Sequence, residues 1–255
     1  MKFLKRSLLL LLTIGILIVI YQYPKLNIIA GYSAKNTGSS VFLAQRNIQF
    51  TDTTDNNFSP INFAVDKVDK NKRTSTSSVF GILTRESFYR EGLGSVLIDD
   101  DYDTTLKILT PNRSTSDNTT PFPFGNATQK DTLFSSVDYS KLNNTVANLF
   151  TNNTKTRAVV VIHKNQIIAE QYGTGFTKNS RILGWSMTKS IMSTVFGVLQ
   201  HQKKINIADK APIMEWQNDD RKKITINDLL HMNSGLEWDE NYNEISDVTK
   251  MLFLE

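Results

Sequence analysis

The chain has 255 residues, 40% of them hydrophobic, enough for one substantial core or one core with a smaller module and too much for a disordered protein. Its net charge of +4 comes from 29 basic and 25 acidic residues with no long block of one sign, which argues against a nucleic-acid-binding arm. The absence of cysteine excludes disulfides, thiolate zinc sites, a cysteine nucleophile and a lipid anchor on cysteine; His163, His201 and His231 are scattered, so a metalloenzyme is not expected.

Lys2, Lys5 and Arg6 precede an uncharged apolar run over residues 8–20, with Tyr21 and Tyr23 at its far edge. Positive charge followed by an apolar run is an export pattern, and tyrosines suit a membrane interface. The run falls short of the roughly 20 residues that span a bilayer comfortably. Residues 22–25 (Gln-Tyr-Pro-Lys) offer no small-x-small cleavage site. Residues 1–25 are therefore expected to be a signal anchor, with a cleaved signal peptide as the alternative. The protein is then exported and membrane-anchored, its domain facing the periplasm or the outside of a bacterial cell.

Residues 26–135 are rich in Asn, Thr, Ser and Asp and are expected to form small β-structure and loops. Strand-like alternation occurs over 63–68 and 78–83, and 94–98 reads as a third strand. The prolines and turn-formers of 110–129 predict a long surface loop. Within it Ser116-Asp117-Asn118 precedes Ser186 and lies in a polar, proline-flanked setting, so it is not read as functional. Leu142, Val146, Leu149 and Phe150 recur at helical spacing within 136–150. Two Val- and Ile-rich runs over 157–171, turning at Lys164-Asn165, predict a hairpin apolar enough on both faces for the middle of a covered sheet. After a loop with Gly173 and Gly175, residues 185–199 predict a buried helix.

Ser186 precedes Lys189 by three residues at the start of that helix, so one turn places both side chains on one face. A serine hydroxyl needs a base to take its proton, and a lysine serves as one when desolvation or neighbouring positive charge lowers its pKa. Lys189 is the only acidic or basic side chain, histidine aside, from Trp185 to Gln202, set among Ile191, Met192, Val195 and Phe196, which predicts a buried amine. Backbone N–H groups at the helix start would favour an oxyanion. The competing reading is that Ser186 caps the helix and Lys189 reaches out to solvent. His231, in Leu-Leu-His-Met, reads as a structural helix-end histidine. Trp238, Asp239 and Tyr242 are either a pocket rim or an exposed loop.

The run Leu183-Gly-Trp-Ser-Met-Thr-Lys-Ser190, the hairpin before it, and Ile226-Asn-Asp-Leu-Leu-His-Met-Asn-Ser-Gly-Leu-Glu-Trp-Asp-Glu240 resemble the β-lactamase-related (class C and penicillin-binding-protein-like) serine hydrolases. They look most like the 6-aminohexanoate-dimer hydrolase and esterase branch, strongly over 136–255. Ala30-Gly-Tyr-Ser-Ala-Lys35, with the residues up to Arg46, weakly resembles the start of its exported members. The resemblance implies an α/β fold: an antiparallel sheet flanked by helices, with a helical subdomain, 136–255 being an incomplete domain of this type. It implies that Ser186 is acylated and Lys189 activates it, that the substrate is a small amide or ester, and that no cofactor takes part. It also implies a later Tyr-x-Asn element and a Lys/His-Thr/Ser-Gly strand; neither occurs in these 255 residues, so the chain is expected to be a C-terminally truncated fragment. The alternatives are a membrane-tethered binding or sensor protein that keeps the fold without turnover, and a non-functional fragment.

Overall fold

The structure, a computed structural model, describes residues 2–99, 102–103, 110, 119–129, 132–151 and 154–254. It has an α/β architecture in which the sheets are antiparallel and helices accompany them. Two compact units are present, Met1–Lys107 with Ile182–Glu255, and Ile108–Arg181.

In the first unit, helix α1 (Lys2–Gln22) gives way at Pro24 to α2 (Lys25–Gly38), which runs on through a π-helical turn, Ser39–Leu43. Among the described residues no single helix is long and apolar enough to cross a membrane; residues 10–22 and 25–43, bent by 41°, meet that length and composition only as a pair. A short helix α3 (Ile48–Phe50), its N-terminus capped by Asn47, leads to four strands: β1 (Ala64–Asp69), β2 (Thr74–Val79), β3 (Leu83–Arg90) and β4 (Gly94–Ile98). They pair in the order β1-β2-β3-β4, each antiparallel to the next, with Ala64 opposite Val79, Thr74 opposite Phe88 and Arg90 opposite Gly94.

Residues 78–83, expected as one strand, instead divide between two. Phe80 and Gly81 both take positive φ (54° and 66°) and turn the chain tightly, so Val79 ends β2, Phe80, Gly81 and Ile82 form the connection, and Leu83 begins β3. The polar sequence Thr-Ser-Thr-Ser-Ser-Val of β2 hides a strand because its inward side chains are hydroxyls. Ser75, Ser77 and Ser87 are buried on this sheet.

Helix α2 explains why hydroxyls suffice there. Beyond Ile29 its buried residues are small, Ala30, Gly31, Ser33, Ala34, Thr37 and Gly38, so its backbone lies close to the sheet. Ser75 Oγ (2.5 Å) and Ser87 Oγ (2.9 Å) both donate to the Ala34 carbonyl oxygen. Asp66 of β1 accepts from Ser33, Thr37 and Asn56 at 2.8–2.9 Å, and from Ser77. Apolar packing is concentrated around Ile29, Ala30, Ile61, Val79 and Leu83. Helix formation in α2 was hard to anticipate, because Asn, Ser, Thr and Gly are weak helix formers; tertiary packing overrides that preference.

The second unit contains helix α4 (Tyr139–Asn148), capped by the Asp138 carboxylate accepting from the Lys141 N–H, and the hairpin of β5 (Ala158–His163) and β6 (Gln166–Tyr172). The turn at Lys164 and Asn165 has φ of 46° and 60°, and a bulge falls at Val161/Ile162. The Gln129 side chain pairs with both the N–H and the carbonyl of Ile167. The expectation of a covered central pair is not met among the described residues: the hairpin is a two-stranded sheet, and Val160 and Ile162 are about half exposed. Ser116-Asp117-Asn118, with the rest of 111–118 in the loop expected over 110–129, lies outside the described residues.

Returning to the first unit, helix α5 (Met187–His201) is followed by α6 (Ile226–Leu230) and α7 (Asp247–Phe253), with Thr225–Asp228 and Ser246–Thr249 forming capping boxes at their starts. α5 has the expected place and extent but not the expected burial. Met187, Ile191, Met192, Val195 and Val198 are all exposed, and only Phe196 and Leu199 are half-buried. Apolar composition states what a helix is able to bury; it does not supply the layer that buries it.

Candidate active site

Ser186 is the N-cap residue of α5, yet its side chain makes no capping hydrogen bond. Instead Lys189 Nζ lies 3.1 Å from Ser186 Oγ, one helical turn on, with the ammonium donating to the hydroxyl. Ser186 therefore does not cap the helix as the competing reading expects, although Lys189 is exposed to solvent as that reading expects. Both residues are nevertheless exposed, so the buried amine expected from the apolar flanks is absent.

Trp185, just before the serine, takes φ of +45°. For a bulky side chain this conformation costs on the order of 1–3 kcal/mol and persists only where its surroundings hold it. Here the Trp185 ring stacks on Tyr32 of α2, with ring centroids 5.9 Å apart and planes 18° apart. Tyr32 is held in turn by Phe58 (5.5 Å) and Phe253 (5.6 Å). Burial pushes the Tyr32 phenol above its ordinary pKa.

The backbone donors at the start of α5 are engaged within the loop. The N–H groups of Met187, Thr188 and Lys189 donate at 3.0 Å to the carbonyls of Gly184, Trp185 and Ser186. That tight turn uses the groups expected to serve an oxyanion. The N–H of Ser186 itself has no acceptor among the described residues and is the backbone donor left for that role.

Ser186 and Lys189 open onto a cleft of about 660 Å³. One wall is a face of α2 and its continuation: Tyr32, Lys35, Asn36 and Ser39 follow one another at helical spacing. Val248, Met251, Leu252 and Phe253 of α7 form another wall, and Met232, Trp238, Glu240 and Tyr242 complete the rim. Thus Trp238 and Tyr242 line the cleft. Asp239 instead ties the loop to α7: its N–H donates to the Asp247 carboxylate (3.0 Å) and its carbonyl accepts from the Val248 N–H (3.1 Å). His231 is not part of the cleft; its Nδ1 is 2.9 Å from the Asn227 carbonyl oxygen, the helix-end arrangement expected for a structural histidine.

Tyr32 and Lys35 are the site residues that inspection of motifs overlooks. The signal was the spacing 32, 35, 36, 39, but nothing local says that this face meets a helix start some 150 residues later. Lys35 is half-buried; its amine donates to the Leu252 carbonyl at 3.4 Å, and desolvation lowers its pKa. Among the described residues no group of three or more His, Cys, Asp or Glu side chains could hold a metal ion.

Residues 142–251 match the family model described as Beta-lactamase. The matched stretch contains Ser186, Lys189 and the helix and loop of 226–240, and it excludes α2. No curated protein and no solved structure matches the chain.

Proposed function

We propose that the protein is a serine hydrolase that cleaves a small amide or ester through an acyl-enzyme, with Ser186 as nucleophile and Lys189 as its base. The observation that carries this reading is the 3.1 Å approach of Lys189 Nζ to a Ser186 hydroxyl that is not spent on capping the helix. The match of residues 142–251 to the Beta-lactamase family supports the same general activity.

In its neutral form the Lys189 amine accepts the Ser186 proton as Oγ attacks the substrate carbonyl. The carbonyl oxygen gains negative charge, toward which the Ser186 N–H is available as one donor. Collapse breaks the bond to the leaving amine or alcohol, which takes up the proton, and leaves an ester on Ser186. Water then attacks that ester, with Lys189 accepting its proton and passing it to Ser186 Oγ as the ester bond breaks, which returns the serine and a free carboxylic acid. No cofactor enters the scheme. Among substrates of this class we favour those of the 6-aminohexanoate-dimer hydrolase and esterase branch, whose motifs 183–190 and 226–240 resemble.

We also propose that residues 1–25 export and anchor the chain, with 26–255 on the far side of the membrane. In support, α1 presents Leu10, Leu11, Leu12, Leu17, Val19 and Ile20 exposed, a surface that lipid accommodates far better than water. Retention in the membrane pellet after an alkaline carbonate wash is the expected result, and release into the supernatant would refute an anchor.

The exposure of Lys189 favours a second reading, a binding or sensor protein without turnover, because the burial expected to activate the amine is missing. An active-site serine probe separates the two. Covalent labelling that disappears in Ser186→Ala supports the hydrolase; complete absence of label in the parent chain supports the binding protein.

A further inference from the structure

The two ends of the four-stranded sheet are unlike. At one end the turn between β1 and β2 carries Lys70, Lys72 and Arg73, and Arg73 pairs with Glu91 of the turn between β3 and β4 at 3.2 Å. At the other end β2 and β3 are joined by Phe80, Gly81 and Ile82, with Phe80 64% and Ile82 63% exposed. The exposed Phe63 ring lies against that of Phe80, centroids 5.6 Å apart, and Val65 continues the apolar surface along β1. Turns that face water are built from polar residues, glycine and proline; contiguous exposed aromatic and aliphatic side chains at a turn mark a surface that something apolar meets.

Helix α2 identifies what that is. Its last residue, Gly38, lies against Ser75, Ser87 and Ser95 toward the charged end of the sheet. Its first turns lie at the apolar end: Val79 and Leu83, which bracket the connection, pack with Leu26, Ile29 and Ala30, and Arg85 Nη1 donates to Asn27 Oδ1 at 3.4 Å. Leu26 follows closely on Pro24, where α1 gives way to α2, so the exposed tip sits beside the point at which the chain leaves α1. Tyr21 and Tyr23 are exposed at that same end of α1, and aromatic side chains at the edge of an apolar span belong to the boundary between water and lipid.

We propose that the β2–β3 tip, Phe80 and Ile82 with Phe63, is a second membrane contact that enters the lipid interface beside the anchor and stands the sheet end-on to the bilayer. The proposal rests on the reading of residues 1–25 as a membrane anchor and adds to it an orientation for the unit that the anchor carries. Apolar side chains enter such an interface to a depth of about 5–10 Å. The six residues of β2 rise roughly 20 Å, so the tip is immersed while Lys70, Lys72 and Arg73 stay in water.

The test exploits the absence of cysteine, which makes single-cysteine labelling specific. Phe80→Cys, Ile82→Cys and Lys72→Cys are made in the full chain, each coupled to a nitrobenzoxadiazole fluorophore, and reconstituted into vesicles of phosphatidylcholine and phosphatidylglycerol. Labels replacing Phe80 and Ile82 are expected to emit at shorter wavelength than in water and to be quenched by lipids carrying a nitroxide near the headgroup, whereas the label replacing Lys72 should emit as in water and escape quenching. Water-like emission at both tip positions, or quenching at Lys72 as strong as at the tip, overturns the proposal. So does a tip emission that is shifted but insensitive to the nitroxide lipid, which would mean that a second copy of the chain covers the tip. Two tip positions guard against one substitution that disturbs the turn, judged by retention of the parent's cooperative melting. A carbonate wash of the same vesicles reads the anchor separately: release refutes the anchor and the proposal with it, while retention with an unquenched tip overturns the proposal alone.

Discussion

Replacing Gly38 by alanine would place a methyl carbon 2.6 Å from Ser95 Oγ, 2.7 Å from Ser87 Oγ and 2.8 Å from Ser75 Oγ. Ordinary contact begins near 3.4 Å, so helix or sheet must give by roughly 0.6–0.8 Å against three strands at once. Two of those hydroxyls are committed to the Ala34 carbonyl and cannot rotate away without losing that bond. Overpacking of this kind costs about 1–3 kcal/mol, while alanine in a helix gains about 0.5–1 kcal/mol over glycine. The clash wins, and Gly38→Ala should lose about 1–2 kcal/mol. Urea denaturation is the assay: the midpoint should fall by on the order of 1 M or somewhat less, with an unchanged slope. Ser95 Oγ, the nearest obstacle, is buried and has no hydrogen-bond partner among the described residues. Ser95→Ala alone should therefore cost little, and combined with Gly38→Ala it should recover part of the loss, a coupling that a double-mutant cycle isolates. If Gly38→Ala is as stable as the parent, or if Ser95→Ala adds its own loss independently, α2 does not approach the sheet as described.

Removing the proposed nucleophile with Ser186→Ala should reduce hydrolysis by three or more orders of magnitude, and Lys189→Met by about 10²- to 10⁴-fold, measured with an activated ester. Burial of its carboxyl, together with the charge and hydrogen bond of Asp66, pushes Asp52 up to about 6. A raised carboxyl pKa means that the folded state binds the extra proton, so this group's contribution to stability is fullest near pH 4 and is lost as pH rises through about 6. Asp52 is largely exposed, so after discounting for solvent screening the loss is about 1 kcal/mol. Asp52→Asn should flatten thermal stability between pH 4 and 7, and an unaltered pH profile would refute the coupling. Ser246→Ala removes the hydroxyl that accepts from the Thr249 N–H and should cost about 1 kcal/mol in urea, while loosening the cleft wall formed by α7.

Local chemistry made several features readable from the residues alone. Ser186 and Lys189 meet because three residues along a helix is one turn, whatever lies around them. Lys164-Asn165 turns a hairpin because Val- and Ile-rich runs flank it and the pair takes positive φ. The helix within 136–150 declared itself by its spacing and the strand at 94–98 by its short apolar run, while the α/β class was an implication of the family resemblance of residues 183–190 and 226–240. Where a signal depended on one residue's special conformation, reading by pattern failed: 78–83 looks continuous, yet Phe80 and Gly81 break it in two.

Other features were decided by what comes together across the chain. Ser75, Ser77 and Ser87 are buried because α2 is lined with small residues and brings carbonyls and hydroxyls within bonding distance; neither segment alone shows that the other exists. Tyr32 and Lys35 join Ser186 in one cleft through packing between elements far apart in sequence, and burial from outside their own helix shifts both. The same dependence left α5 exposed: its side chains are apolar enough for a core, but burial belongs to a pair of surfaces, and one strand or helix carries only its own half.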